Sequence, residues 1–221
     1  MTTSLQAVVF DMDGLMLDTE PLYQIAWQRA AAELDRDLDD DFYLTLIGTP
    51  TKEALQKVAA YFGADFPIQR FAKLGGVQWH RQVEENGIAT KTGLLPLLDQ
   101  LDRAAVAKAV ATSSNARQVA QTMKAGGIEG RFAQIVTSDQ VARGKPAPDL
   151  YLEAARRLEL PPETCIALED SEAGVASAHA AGMTVLMVPD LKQPSPQTVA
   201  RAHRVLPSLL EAAPVIKDLL S

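Results

Sequence analysis

Two aspartates two residues apart, Asp11 and Asp13, follow the apolar run Ala7–Phe10 and precede Gly14. On an extended segment such side chains share a face, so the two carboxylates can address one object. Gly14 then lets the chain turn away sharply. Carboxylates held close repel unless a cation or a shared proton relieves them. Three more polar groups stand in comparable places. Thr112-Ser113-Ser114-Asn115 follows the run Ala107–Ala111 and offers hydroxyls and helix-opening amides, a cradle for an anionic oxygen. Lys145 stands on a loop stiffened by Pro146 and Pro148, and Glu169-Asp170-Ser171 follows Cys165–Leu168 ahead of a small-residue helix. Singly, each has a plainer reading. D-x-D-G can be a solvated turn, Ser and Asn can be an N-cap, a lone lysine is usually surface solvation, and adjacent acids at a helix start complement the macrodipole. Jointly, at one edge of one sheet, they describe carboxylates for a hard cation, hydroxyls and a lysine for phosphate, and a second acid for proton transfer.

The elements that must position these residues alternate along the chain. Short apolar runs at Ala7–Phe10, Ala107–Ala111, Gln134–Thr137, Cys165–Leu168 and Val185–Val188 predict strands covered on both faces. Between them lie helical stripes, including Leu94, Leu97, Leu98 and Leu101, and Tyr151, Ala154, Ala155 and Leu158. Strands alternating with helices predict a parallel sheet with right-handed crossovers. In such sheets ligands bind beyond the carboxyl ends of the strands, where the polar groups gather. Residues 19–91 break the rhythm. They carry the stripes Leu22, Ala26, Ala30, Leu34 and Leu55, Val58, Ala59, Phe62, with breakers at Gly48-Thr49-Pro50 and Gly75-Gly76, and no strand. This predicts a helical insertion after the first strand.

The composition narrows the function classes. The chain has 221 residues, 47% hydrophobic and 22% charged, enough to bury a core without staples. One cysteine, Cys165, leaves no disulfide framework or thiolate cluster. A net charge of −7 argues against a nucleic-acid-coating protein. The N-terminus lacks the pattern of a signal peptide, and no apolar run approaches the roughly 20 residues that span a bilayer. The expectation is a cytoplasmic protein with no membrane or nucleic-acid partner.

The runs DMDGLMLDTE, ATSSN, GKPAPDLY and ALEDSEAGVASAHAAG, in this order and spacing, cover nearly the whole chain. They resemble the haloacid dehalogenase-like superfamily and, within it, small-molecule phosphatases related to β-phosphoglucomutase. The resemblance implies an α/β fold, a Rossmann-like doubly wound parallel sheet core over residues 1–18 and 92–221, with residues 19–91 an inserted helical cap. It implies a phosphomonoester hydrolase acting on a small phosphorylated metabolite, a sugar phosphate, through an aspartyl-phosphate. Asp11 would be the nucleophile and Asp13 the general acid and base. Thr112 and Lys145 would hold the phosphoryl oxygens, and Ser113, Ser114 and Asn115 would face the substrate. Mg²⁺ would be bound by Asp11, the Asp13 backbone carbonyl and Asp170, with Glu169 binding or positioning beside it. The rival within the resemblance is a phosphosugar mutase. Mutases of this kind carry a histidine where Tyr23 stands, and cap cations where Thr51 and Gly75 stand, although Lys52 and Lys73 lie nearby. A metal-free dehalogenase typically lacks the second aspartate, which is present here as Asp13. A response-regulator receiver would be about half this length with its acceptor aspartate in mid-chain.

Other features have plainer readings. Asp35, Asp37, Asp39, Asp40 and Asp41 suggest a calcium loop, but its sixth position would be Phe42 rather than Gly; a solvated helix connection is expected. Trp79 is expected to pack, His179 to serve its own helix face, and Cys165 to be an inert strand residue.

Overall fold

The computed structural model describes residues 5–49 and 51–220. The expectation about the N-terminal Met1–Ser4 and the Pro50 of the first breaker lie outside the described residues. Two units divide the chain, Met1–Leu17 with Ala89–Ser221, and Asp18–Ile88.

In the first unit, runs rich in β-branched and small apolar residues make five strands, β1 Ala7–Phe10, β2 Ala107–Ala111, β3 Gln134–Val136, β4 Cys165–Glu169 and β5 Thr184–Met187, and a short exposed pair makes a sixth, β6 Arg204–Val205. They form one sheet in the order β3-β2-β1-β4-β5-β6, and every pairing is parallel. The sheet is therefore doubly wound, and β1 sits where strand order reverses, the point at which such sheets open a crevice at their carboxyl edge. Both faces of β1 are covered; Ala7, Val8, Val9 and Phe10 are all fully buried. The connecting helices are α5 Leu94–Arg103, α6 Ala116–Ala125, α7 Asp149–Leu158, α8 Glu172–Ala180, α9 Pro196–Arg201 and α10 Leu209–Leu219, the four earlier helices belonging to the second unit. The striped residues Leu94, Leu97, Leu98 and Leu101 of α5, and Tyr151, Ala154 and Ala155 of α7, are buried.

One strand boundary that bears on the site, and one whole strand, differ from the sequence reading. The fourth strand continues through Glu169, which pairs with Met187 of β5; a charged residue ends an otherwise apolar run there. β6 escapes the hydrophobic pattern because it is two exposed residues pairing with Leu186 and Met187 at the sheet edge.

The second unit is helical throughout: α1 Glu20–Ala32, α2 Asp40–Leu44, α3 Thr51–Phe62 and α4 Ile68–Asn86. Its core gathers Ala30, Ala31, Leu38, Tyr43, Leu46, Ala54, Val58, Phe66 and Phe71. Phe71 meets Trp27 edge-on at 5.4 Å between centroids, and Tyr23 stacks on the buried Trp79 at 5.6 Å. The expected break at Gly75-Gly76 does not occur; α4 runs through it. Packing overrides the propensity: Gly75 is buried within α4, with the Trp27 ring of α1 in van der Waals range of it. The acidic stretch is a helix connection, with Asp39 capping α2 by accepting from Phe42 N, and Asp40 accepting from Gln24 and Gln28.

Candidate active site

The site grows from the carboxyl ends of β1, β2 and β4 and the loop after β3. Asp11 extends the β1 ladder by donating its backbone N–H to Leu168 O at 3.0 Å, which fixes its backbone before its side chain leaves the sheet. The chain then folds on itself: Met16 and Leu17 donate to Met12 O, and Gly14 donates to Leu17 O at 2.9 Å. Gly14 has φ +82°, the left-handed region that costs glycine nothing. It is also small of necessity, since a methyl group there would run into the Asp170 carboxylate.

Lys145 reaches in from the loop between β3 and α7. Ser177 of α8 pins that loop, donating to Ala147 O at 2.6 Å. The Lys145 ammonium donates to Asp11 Oδ1 and to Glu169 Oε1, each at 2.5 Å. Its side chain is 5% exposed, and the Tyr151 ring lies 5.2 Å beneath it. Tyr151 donates its hydroxyl to Glu169 Oε1 at 2.6 Å. The other oxygen, Oε2, accepts from Asp170 N, Ser171 N and Ser171 Oγ at 3.2–3.3 Å. Glu169 is thus a buried carboxylate with five donors, and any side chain on Gly174 would collide with it. Its structural effect is to fix Lys145 against Asp11.

The electrostatics follow from burial. Desolvation pushes the Asp11 carboxyl up to about 8, with Lys145 opposing and Glu169 and Asp13 adding to the rise. Asp170 is raised well above the usual carboxylate range, by burial first and then by the charges of Asp11 and Glu169. Burial works against the Lys145 ammonium, but Asp11 and Glu169 outweigh it and hold it charged. Ligand oxygens of Asp11, Glu169 and Asp170 lie within 4.8 Å of one another. Three carboxylates share one ammonium, so the cluster has capacity for a further cation. The donors are all oxygen, which suits a hard divalent ion such as Mg²⁺, and the room that Gly14 leaves beside Asp170 would not exist with a side chain there.

The remaining sequence candidates divide. Thr112 is buried at the end of β2, donates its N–H to Val136 O and accepts from Ser114 N at 3.1 Å. Ser114 donates its hydroxyl to Asp13 Oδ2 at 2.8 Å, across 101 residues of chain. Asn115 caps α6, exchanging hydrogen bonds with Gln118 in a capping box, and Ser113 is exposed. His179 is exposed on α8. Cys165 is buried, which pushes its thiol up and away from the reactive thiolate. Sequence reasoning placed Ser171 beside the site without a role of its own, and assigned none to Tyr151, Gly174 or Ser177. Tyr151 was legible only as an apolar stripe residue; nothing in its spacing marks the direction of its hydroxyl.

The profile of the haloacid dehalogenase-like hydrolases matches residues 8–188. The chain is 31% identical over 179 residues to the phosphorylated carbohydrates phosphatase of Thermotoga maritima, covering 81% of this chain and 82% of the other. It is 32% identical over 187 residues to the β-phosphoglucomutase of Bacillus subtilis, with 81% of each covered. The crystal structure of CbbY from Rhodobacter sphaeroides in complex with phosphate superposes with a TM-score of 0.78 at 29% identity, covering 94% of this chain and 96% of that one. Among the described residues, no helix is long and apolar enough to cross a membrane.

Proposed function

The chain belongs to the haloacid dehalogenase-like hydrolase family, and we propose that it is a Mg²⁺-dependent phosphatase of small phosphorylated carbohydrates working through an aspartyl-phosphate. The observation that carries the reading is the buried cluster in which Lys145 bridges Asp11 and Glu169, with Asp170 beside it. The sequence similarity to a phosphatase named for phosphorylated carbohydrates supports the substrate class.

In the proposed reaction, Asp11 attacks phosphorus in line, forming the acyl-phosphate bond as the ester oxygen leaves. Asp13 gives its proton to that oxygen, then takes one from the water that hydrolyses the acyl-phosphate and regenerates Asp11. Such proton transfer is worth about 10²–10⁴ in rate. Ser114, donating to Asp13 Oδ2, holds the carboxyl in one orientation. Lys145 and Thr112 take the phosphoryl oxygens, Lys145 being held ready by Glu169. Ser113 and Asn115 face the substrate. Asp11, the Asp13 backbone carbonyl and Asp170 would hold the Mg²⁺, with Glu169 beside them. Bound there, the ion would offset the charge of the phosphoryl group and of the crowded carboxylates. Residues 1–18 and 92–221 are assigned as the catalytic core and 19–91 as the cap, in a cytoplasmic enzyme.

The test is a phosphate-release screen over a panel of phosphomonoesters. It includes β-glucose 1-phosphate with a bisphosphate activator, scored for isomerisation as well as hydrolysis. Phosphate release that EDTA abolishes and Mg²⁺ restores is expected. Full turnover after exhaustive chelation would remove the metal from the reading, and isomerisation without release would replace the phosphatase by a mutase.

A further inference from the structure

Asp190 lies three residues beyond β5 and takes no part in the chemistry above. Its side chain is 7% exposed, and one oxygen, Oδ1, accepts from Lys91 Nζ at 2.6 Å. The other, Oδ2, is buried and has no hydrogen-bond partner. A buried carboxylate oxygen left unpaired is costly and calls for a hydrogen-bond donor or an ion to explain it. The direction in which it faces is informative. The point where a Gly14 Cβ would stand has two carboxylate oxygens within 4 Å, Asp170 Oδ2 and Asp190 Oδ2, the latter at 3.3 Å. Gly14 therefore leaves a small space walled by two carboxylates, one an assigned Mg²⁺ ligand and the other unsatisfied. Lys91 is held in turn by its backbone, which donates to Met16 O at 2.9 Å in the turn that follows Asp13. The anchor of Asp190 is thus tied to the loop that carries the catalytic aspartates.

We propose that Asp190 is a fourth carboxylate of the metal centre, a positioning residue whose Oδ2 Lys91 holds ready to accept hydrogen bonds from the hydrated ion. The inference rests on the reading that Asp11, Asp13 and Asp170 hold Mg²⁺. Mg²⁺ dehydrates reluctantly and keeps several waters, so a centre with few direct protein ligands depends on acceptors around it. Loss of such an acceptor typically weakens metal affinity by about 10–100-fold. The alternative is that Asp190 serves only as the ionic partner of Lys91, holding residues near 91 to the end of β5.

Two measurements on the full chain separate these roles: the Mg²⁺ dissociation constant by titration calorimetry, and the melting temperature without metal. In Asp190→Asn the single carbonyl goes to Lys91 and an amide N–H₂ faces the ion. About a tenfold weaker Mg²⁺ affinity is expected, with metal-free melting unchanged or raised, because one charge leaves a crowd of carboxylates. A purely structural role predicts the reverse, lower metal-free melting with unchanged affinity, and that result overturns the proposal. Lys91→Met, which keeps the carboxylate but releases it, should weaken Mg²⁺ binding several-fold, and unchanged affinity there also overturns it. Wild-type protein that takes up no Mg²⁺ would overturn both this inference and the proposed function; equal binding by wild type and both variants would overturn this one alone.

Discussion

The sheet unit and the helical unit bury different things. Among the described residues, the buried charged side chains Asp11, Lys145 and Glu169 all stand at the carboxyl edge of the sheet. The helical unit, Asp18–Ile88, buries alanines, leucines and aromatic rings, with Thr19 and Gln82 its buried polar residues. Removing a charge from water costs several kcal/mol even after relaxation, so buried ions are poor building material unless paired and hydrogen-bonded. The edge meets that condition with Lys145 between two carboxylates and five donors on Glu169. The contrast assigns stability mainly to the apolar packing of both units and buried charge to the edge of one.

Four substitutions break or sharpen that contrast. The largest effect on turnover is expected from Asp11→Asn, which should reduce phosphate release to the buffer blank. The neutral amide escapes the desolvation that pushes the acid up to about 8, so thermal melting should hold or rise. Turnover at the wild-type rate in the purified variant would remove the nucleophile from Asp11. Phe71→Ala works on the other side of the comparison. It empties a fully buried ring position between Trp27 and Phe66 and should cost about 3–5 kcal/mol in urea unfolding. An unmoved midpoint would mean that the helical unit does not depend on that core.

Ser114→Ala should be milder. It removes one neutral hydrogen bond from Asp13, worth about 1 kcal/mol, or about fivefold in kcat, with little change in KM. A KM effect alone would move Ser114 from orienting Asp13 to binding substrate. The smallest effect belongs to a half-buried charge network on α7, the helix that also carries Tyr151. Hydrogen bonds from Arg156 and Arg157 lower the Glu153 carboxyl from 4.5 to about 2. Its folded value lies below its unfolded one, so its stabilisation is complete above about pH 4.5 and is lost as pH falls towards 2. Much of this network is solvated, so Glu153→Gln should cost less than about 1 kcal/mol at neutral pH. A pH-independent difference between variant and wild type would show that packing, not charge, sets its contribution.

Much of this architecture could be read from the chain alone, and for identifiable reasons. Parallel strands buried on both faces are almost wholly apolar, so β1, β2 and β4 stand out as short runs despite Lys108 within β2, and the polar residues at their ends stand out by contrast. That local switch from apolar to polar marks Asp11, Thr112 and Asp170 without any knowledge of their neighbours. Capping is equally local, as the Asn115–Gln118 box shows. The unbroken course of α4 through Gly75-Gly76 could not be read this way, because the Trp27 ring that packs beside Gly75 belongs to a different helix.

The sequence by itself determined where chemistry could occur, because strand ends and turns are written in neighbouring residues. Only the tertiary structure decided which groups meet. Lys145 lies 134 residues from Asp11, Ser114 lies 101 from Asp13, and Lys91 lies 99 from Asp190. Contacts across such separations come from the order in which the strands assemble, and no periodicity along the chain encodes them. The same holds for direction. Tyr151 has the spacing of a core residue and is one, yet its hydroxyl ends on Glu169, because the packing of α7 on the sheet turns one polar atom of an apolar side chain into the site.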